Sequence, residues 1–508
     1  MTSRLVQVQL AGGRAIASAG TRLVLGVFSD ADPAFARLGA EGARAALALA
    51  QALRFKGEEG RLVETLLRGK GRALTLVGLG KRGKLTEERA RAFVEKAIAV
   101  AHAAKAASLG LVVPDHEAFS GAAAAERIAR CLALADYRFD RFLAPTTGVR
   151  LQSATLAVPA AWRRAYETGC VLGCAIAAGV SLARDLGNSP PNLASPDWMA
   201  RQARGLARRW RARFRVLAEP ELKRRKMGGL LAVGAGSKHP PRLVRIDLGN
   251  RGPVIALVGK GVTFDTGGIS IKPAAQMDEM KWDKMGACAV LGILEVASRL
   301  DLGVRLRAYL PLAENMLDGA AYRPGDIVRC ANGKTVEILN TDAEGRMILA
   351  DALAWAASAK PDALIEYSTL TGACVVALGP TGAGLFSPSD ELCGGLLSAA
   401  GAAGERLWRL PLWPEFLEEM KGSHADLKNS GGRWGGASNA AAFLSQFVGG
   451  VADWAHLDIA GPAYVGGEGG DGRKKRGATG FGVALTVNWL RARGIPVQAT
   501  ARQRRRRR

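Results

Sequence analysis

Short apolar runs alternate with helical stretches through most of this chain, and that alternation constrains its fold more than any other feature. In the later part the runs are Arg215–Leu217, Leu243–Leu248, Val254–Gly259, Val304–Leu310 and Ala363–Ser368. A succession of βα units predicts an α/β domain with a central mixed or mostly parallel sheet flanked by helices on both faces. Such sheets carry their sites near strand ends. Earlier, strand-like Leu23–Phe28 and Ala73–Val77 alternate with the Ala-rich helical segments Ala31–Leu53, Glu87–Ala107 and Ala122–Ala135, which reads as a smaller α/β domain. The pattern breaks between Phe142 and Trp162, at Pro145-Thr146-Thr147-Gly148, and a helix follows over Tyr166–Leu186. Pro190 and Pro191 in Asn188-Ser189-Pro190-Pro191-Asn192 stop that helix. The expected division is therefore residues 1–165, residues 166–495 and a disordered Arg-rich tail over 496–508.

Two stretches carry chemistry. Asn340-Thr341-Asp342-Ala343-Glu344-Gly345-Arg346 follows strand-like Thr335–Leu339 and runs into a helical pattern, Met347–Ala357. Asp342 and Glu344 can point at one small volume there, with Gly345 allowing close backbone approach and Arg346 adding a fixed cation. Left alone the two acids repel, so a proton or a metal ion is expected between them; a helix cap by Thr341 or Asp342, with Glu344 in the first turn, is the competing reading. The second stretch, Val254 to Pro273, begins as a buried strand and turns Gly-rich with Lys260, Asp265 and Lys272 interleaved. Asp283 follows on a helical segment, Met277–Leu300. Carboxylates from three elements and a buried lysine suit two hard divalent cations, Mn²⁺, Mg²⁺ or Zn²⁺. Gly259-Lys260-Gly261 lacks the residue order of a phosphate-binding P-loop.

These stretches resemble the signatures of the leucyl aminopeptidase (cytosol aminopeptidase) family of hexameric dimetal peptidases. The heptad Asn340–Arg346 is intact, and Asp265, Lys272, Asp283, Asp342, Glu344 and Arg346 follow Lys260 by 5, 12, 23, 82, 84 and 86 residues. Ala313-Glu314-Asn315-Met316, Arg323-Pro324-Gly325-Asp326, Thr369-Leu370-Thr371-Gly372-Ala373 and Trp454–Gly461 are similar to further family blocks, so the likeness runs from Leu182 to Leu490. The resemblance implies that Asp265 and Glu344 bridge two ions, with Lys260 and Asp283 completing one coordination sphere and Asp342 the other. Lys260 would then bind as a neutral amine, its pKa lowered by burial and the ion. Mn²⁺ is the expected metal and Zn²⁺ also fits. Lys272 would stabilise the oxyanion, and Arg346 would hold a bicarbonate that serves as general base, a salt bridge to Asp342 or Glu344 being its alternative. Met280, Asn340, Thr369, Leu370 and Gly372 would hold the peptide, with Met280 walling an apolar pocket that favours Leu and Met; core packing is the alternative for Met280. The implied activity is removal of N-terminal residues from intracellular peptides by a homohexamer. His424 and His456 are structural in this reading. Lys284 and Cys288 stand where the family usually has Met and Ala, and Lys284 adds a positive charge near the metals. The loop Gly466–Lys475 is longer and more basic than expected.

Composition bounds the rest. A hydrophobic fraction of 48% and charged fraction of 23% in 508 residues fit a globular protein of two or more domains. No window of about 18 consecutive apolar residues appears, so no membrane span is expected. Met1–Leu10 alternates like a strand and has no signal-peptide core, which makes cytoplasmic the default location. Seven scattered cysteines read as reduced and structural; Cys170 and Cys174, the one close pair, lack a second pair or nearby His for a zinc ribbon. His102 and His116 read as surface or helix-face residues. The net charge of +24 falls to +18 without the six arginines of the tail. Such a protein can hold nucleic acid through its phosphates, a second role known for some members of the resembled family, although no DNA-reading motif is present; an Arg-rich composition is the simpler account.

Overall fold

The computed structural model describes residues 5–11, 16, 21–31, 34–69, 72–144, 149–467 and 476–494, and it divides the chain into two compact units, Met1–Ser181 and Leu182–Arg508. The expected break at Pro145–Gly148, most of the Gly466–Lys475 loop and the Arg-rich tail lie outside the described residues.

The first unit is built on a six-stranded sheet in the order Gln7–Leu10, Ser153–Ala157, Ser108–Val112, Thr21–Phe28, Ala73–Gly80, Leu62–Leu66. All neighbours are parallel except the last, antiparallel pair. Both faces are covered. Val24, Val77 and Leu111 pack with helices Glu87–Ala103 and Gly121–Leu134, while Leu23, Leu25 and Leu76 pack with helix Gly39–Ala52. Apolar side chains on both sides of a strand are what a doubly covered parallel sheet requires. The stretch expected as one helix over Ala31–Leu53 is a 3₁₀ turn, Phe35–Leu38, followed by that α-helix. His116 is buried rather than superficial, its Nδ1 accepting from Ala118 N at 3.1 Å to cap the turn Glu117–Phe119. His102 is about one-third exposed and faces Asp136 at 3.6 Å.

The helix expected over Tyr166–Leu186 runs Arg163–Asn188, and the units part inside it, at Ser181/Leu182, instead of at its start. A continuous helix gives no local signal of where its packing partners change. By length and composition alone Ala160–Asn188 could cross a membrane, but 78% of its most apolar window is buried inside the protein, as in a core helix.

The second unit carries a nine-stranded mixed sheet. Its order is Arg406–Arg409, Gly382–Phe386, Trp454–Asp458, Ala363–Ser368, Val254–Gly259, Arg305–Asn315, Arg242–Leu248, Arg213–Leu217, with Gly261–Asp265 beside the far end of Arg305–Asn315. The four central strands, Trp454–Asp458 to Arg305–Asn315, are parallel. Ala256 and Val258 face helix Glu344–Ser358 in the main core cluster. The opposite face takes helix Met285–Arg299 so closely that a Cβ on Gly259 would lie 2.6 Å from Gly286 O. A small sheet of Ile327–Arg329, Thr335–Glu337 and Leu427–Lys428 leads into the Asn340–Arg346 turn. The seven cysteines are free thiols.

Candidate metal centre

The C-terminal ends of the central strands deliver the polar residues. Lys260 follows Val254–Gly259 and is buried, with Nζ 2.8 Å from Asp283 Oδ1, 2.9 Å from Glu344 Oε1 and 2.9 Å from Thr369 O. Asp265 ends the strand Gly261–Asp265; its Oδ1 accepts from Gly267 N at 2.9 Å and Asn315 Nδ2 at 2.8 Å, and its Oδ2 lies 2.9 Å from Lys272 Nζ. The turn needs glycine at Gly267, where φ is +85° and a Cβ would meet Ser270 O at 2.4 Å. Lys272 also pairs with Asp342 Oδ1. The ligand atoms of Asp265, Asp342 and Glu344 lie within 4.8 Å of one another, so those three residues could hold a metal ion.

Glu344 opens the helix Glu344–Ser358, three residues earlier than the sequence pattern indicated, so this carboxylate sits at the positive end of the helix dipole. Gly345 is the close-approach residue. A Cβ there would sit 2.6 Å from Lys260 Cε and 2.7 Å from its Nζ. Asp283 lies between the 3₁₀ turn Met277–Trp282 and helix Met285–Arg299, not inside one continuous helix. Its Oδ1 accepts from Thr369 Oγ1 at 2.6 Å, and its buried Oδ2 has no partner among the described residues.

Four carboxylates thus share two ammonium groups. Burial, then the charges of Glu344 and Asp283, push the Asp265 carboxyl up to about 8. Burial raises Asp283 to about 6 against the pull of Lys260, and burial with Glu344 raises Asp342. For Glu344 burial is outweighed by Lys260 and Lys272, which hold it below the usual range. Burial likewise opposes the Lys260 ammonium, but Asp283, Glu344 and Asp265 outweigh it and raise its pKa. The carboxylates by themselves are thus close enough to override desolvation at Lys260, and the neutral amine that the resemblance implies belongs to a site with a divalent ion beside it. A cluster this rich in acid accepts cations or protons.

Arg346 stands apart from the acids. It is buried, donates to Asn429 O at 2.8 Å, and leaves Nε without a partner; among the described residues none of the ion pairs within 4.0 Å involves it, so the alternative salt bridge to Asp342 or Glu344 is not made. Burial brings its pKa down to about 10, while Glu344 and Asp458 pull upward. The unpartnered donor fits a small anion. Lys284 does not reach the carboxylates. Its ammonium is wholly buried and donates to Gly187 O at 3.0 Å, Ser189 O at 3.1 Å and Lys281 O, satisfying its three donors at the end of the long helix. Burial lowers its pKa to about 8.

The remaining residues surround this network. Leu370 N donates to Asp458 Oδ1 at 3.2 Å and Thr371 Oγ1 to Asp458 Oδ2 at 2.7 Å, which fixes the Thr369–Gly372 turn. A Cβ on Gly372 would meet nothing within 4 Å. Asn340 Oδ1 accepts from Asp342 N at 2.8 Å, and Met280 lies half-buried in the turn before Asp283. His456 is buried against Glu366 and stacked on Phe386 at 5.4 Å, and His424 is exposed beside Glu337. Two residues had no assigned role in the sequence reading. Asn315 ties Asp265 to Thr341, and Asn429 accepts from Leu339 N and Asn340 N and donates to Asn340 O at 2.6 Å. Asn315 sits in a noted motif; nothing in the sequence around Asn429 distinguishes it.

Residues 181–487 match the catalytic domain of the cytosol aminopeptidase family, and residues 24–146 match the N-terminal domain of the same family. The chain belongs to the cytosol aminopeptidase family. A probable cytosol aminopeptidase from Geobacter sp. (strain M21) is 44% identical over 450 residues, covering 87% of this chain and 91% of that protein. One from Methylobacillus flagellatus is 43% identical, covering 83% and 85%. Among solved structures, a mutant of tomato leucine aminopeptidase matches with a TM-score of 0.81 at 31% identity, covering 97% of each chain. The bottromycin maturation enzyme BotP, solved in complex with Mn, matches with a TM-score of 0.80 at 35% identity, covering 94% of this chain and 99% of its own. As a member of the cytosol aminopeptidase family this chain is an aminopeptidase, a hydrolase acting on N-terminal peptide bonds.

Proposed function

We propose that this aminopeptidase is metal-dependent and releases N-terminal residues, preferably Leu, Met and other apolar ones, from peptides. The convergence of Asp265, Asp342 and Glu344 beside Lys260 carries the reading. Lys260, Asp265, Asp283, Asp342 and Glu344 would hold two divalent ions, Mn²⁺ or Zn²⁺, which when bound acidify a water and polarise the scissile carbonyl. The substrate's free α-amine would be held in its neutral form at one of those ions, with Asp283 placed to help it into position, which restricts cleavage to the N-terminus. Lys272, with its pKa raised by Asp265, Glu344 and Asp342 against burial, stays an ammonium and stabilises the oxyanion, a contribution of roughly 3 kcal/mol. Arg346 cannot accept a proton; its free Nε would hold a bicarbonate that does. Met280, Asn340, Thr369, Leu370 and Gly372 hold the peptide and its first side chain. Turnover of peptides in the cytoplasm by a homohexamer completes the reading. Binding of duplex DNA by the basic surface is a separate property, read by salt-sensitive retention that survives Glu344→Ala.

The deciding experiment is leucine release from a Leu-anilide with added Mn²⁺, for wild type and Asp342→Ala, beside an N-acetylated substrate. Activity should require Mn²⁺, Asp342 and the free amine. No cleavage across Mn²⁺, Zn²⁺, Mg²⁺ and Co²⁺ would overturn the proposal.

A further inference from the structure

Asn315 is wholly buried at the end of the strand Arg305–Asn315, beside Asp265 in the ladder. Its amide nitrogen spends one hydrogen on Asp265 Oδ1 at 2.8 Å and the other on Thr341 O at 3.1 Å. Thr341 O can only accept, so the chemistry of the site decides which end of the amide faces it. Its backbone carbonyl accepts from Thr266 N and Thr266 Oγ1, both at 3.0 Å. One residue thereby fastens the loop after Asp265 to the turn that carries Asp342 and Glu344. Tyr322 OH adds a second donor to Thr341 O at 2.8 Å, and Thr341 Oγ1 donates to Gly267 O at 2.6 Å.

The consequence concerns the two oxygens of Asp265. Oδ1 already accepts from Gly267 N and Asn315 Nδ2, which fills its in-plane lone pairs. Oδ2 accepts from the Lys272 ammonium alone and retains a free lone pair. We propose that Asn315 is a positioning residue of the metal centre: it holds Oδ1 of Asp265 out of coordination, presents Oδ2 to the cations, and sets the spacing between the Asp265 loop and the Asp342–Glu344 turn. This rests on the metal-dependent reading above. Partners that orient a ligating carboxylate change metal affinity by about 10- to 100-fold.

The test is titration of Mn²⁺ into metal-stripped wild type, Asn315→Leu and Tyr322→Phe by calorimetry, with unfolding midpoints and the Mn²⁺ dependence of kcat measured alongside. Asn315→Leu should fold, bind Mn²⁺ about 10- to 100-fold more weakly, and regain kcat with little change in KM at saturating Mn²⁺. Tyr322→Phe, which removes one of two donors to Thr341 O, should weaken Mn²⁺ several-fold less than that. Wild-type Mn²⁺ affinity in Asn315→Leu, or a kcat loss that saturating Mn²⁺ does not restore, overturns the inference. If Asn315→Leu does not fold, unchanged Mn²⁺ affinity in Tyr322→Phe overturns it instead. A wild type that takes up no Mn²⁺ refutes the metal-dependent reading itself, which separates the two failures.

Discussion

Gly345→Ala sets two physical effects against each other at one atom. Gly345 lies in the first turn of helix Glu344–Ser358, where alanine is favoured over glycine by up to about 1 kcal/mol. The new methyl carbon, however, would stand 2.6 Å from Lys260 Cε, 2.7 Å from Nζ and 3.0 Å from Cδ. A flexible lysine could swing aside at little cost, but this one is buried and held by Asp283, Glu344 and Thr369 O at 2.8–2.9 Å. Overpacking of this kind costs about 1–3 kcal/mol, so the net effect on stability is a loss of up to about 2 kcal/mol. The larger effect is on the site: relief of the clash needs Lys260 Nζ to move by about 1 Å, outside the tolerance of a coordination sphere. Gly394→Ala is the control. Gly394 is exposed in helix Asp390–Ala403 and a Cβ there meets nothing within 4 Å, so that variant should gain about 0.5–1 kcal/mol. Urea unfolding, Mn²⁺ calorimetry and Leu-anilide hydrolysis on the same preparations read all three quantities. A Gly345→Ala protein that is stabilised like Gly394→Ala, binds Mn²⁺ normally and turns over at the wild-type rate would refute the reasoning.

Three further outcomes follow from the same interior. Gly286→Ala places a Cβ 2.1 Å from Tyr367 O and 2.8 Å from Lys260 N, where backbone and not a side-chain tip must yield; it should destabilise by about 3 kcal/mol or more, and an unchanged urea midpoint contradicts this. Asp351 is buried with no cation paired to it among the described residues, and burial pushes its carboxyl up to about 7 although the amides of Leu230, Ala331 and Gly229 work against this. An unfolded aspartate titrates near pH 4, so between about pH 4 and 7 the folded state binds the extra proton; stability from this group is highest below about pH 4 and declines by up to about 4 kcal/mol as pH rises to 7. Asp351→Asn should flatten that part of the pH dependence of unfolding, and an unaltered slope between pH 5 and 7.5 counts against the assignment. Finally, because Lys260 and Lys272 already pair with the four carboxylates, chelation should abolish hydrolysis while leaving far-UV circular dichroism unchanged; loss of both together would show that the fold depends on metal.

The sequence by itself determined the strands Val254–Gly259 and Ala363–Ser368 at their observed bounds, because an uninterrupted apolar run ended by a turn carries its own length. It also determined which residue types converge, since Asp342, Glu344 and Gly345 are neighbours in the chain and one turn aims them together. Tertiary structure decided what lies between distant segments. Whether Lys260 is an amine or an ammonium depends on Asp283 and Glu344, 23 and 84 residues away, and the carboxylates outweigh burial only at the distances the fold imposes. Lys284 follows a site acid directly, yet the direction of its side chain was set by the free carbonyls at the end of the helix Arg163–Asn188. Asn315 and Asn429 became pivots through strand register, which places an amide opposite a carboxylate or a turn; a motif marked the place of Asn315 without its role, and nothing local marked Asn429. The division of the chain inside one continuous helix has the same origin. Local periodicity reports that a helix forms; the side chains packed on each half are chosen by segments far along the chain.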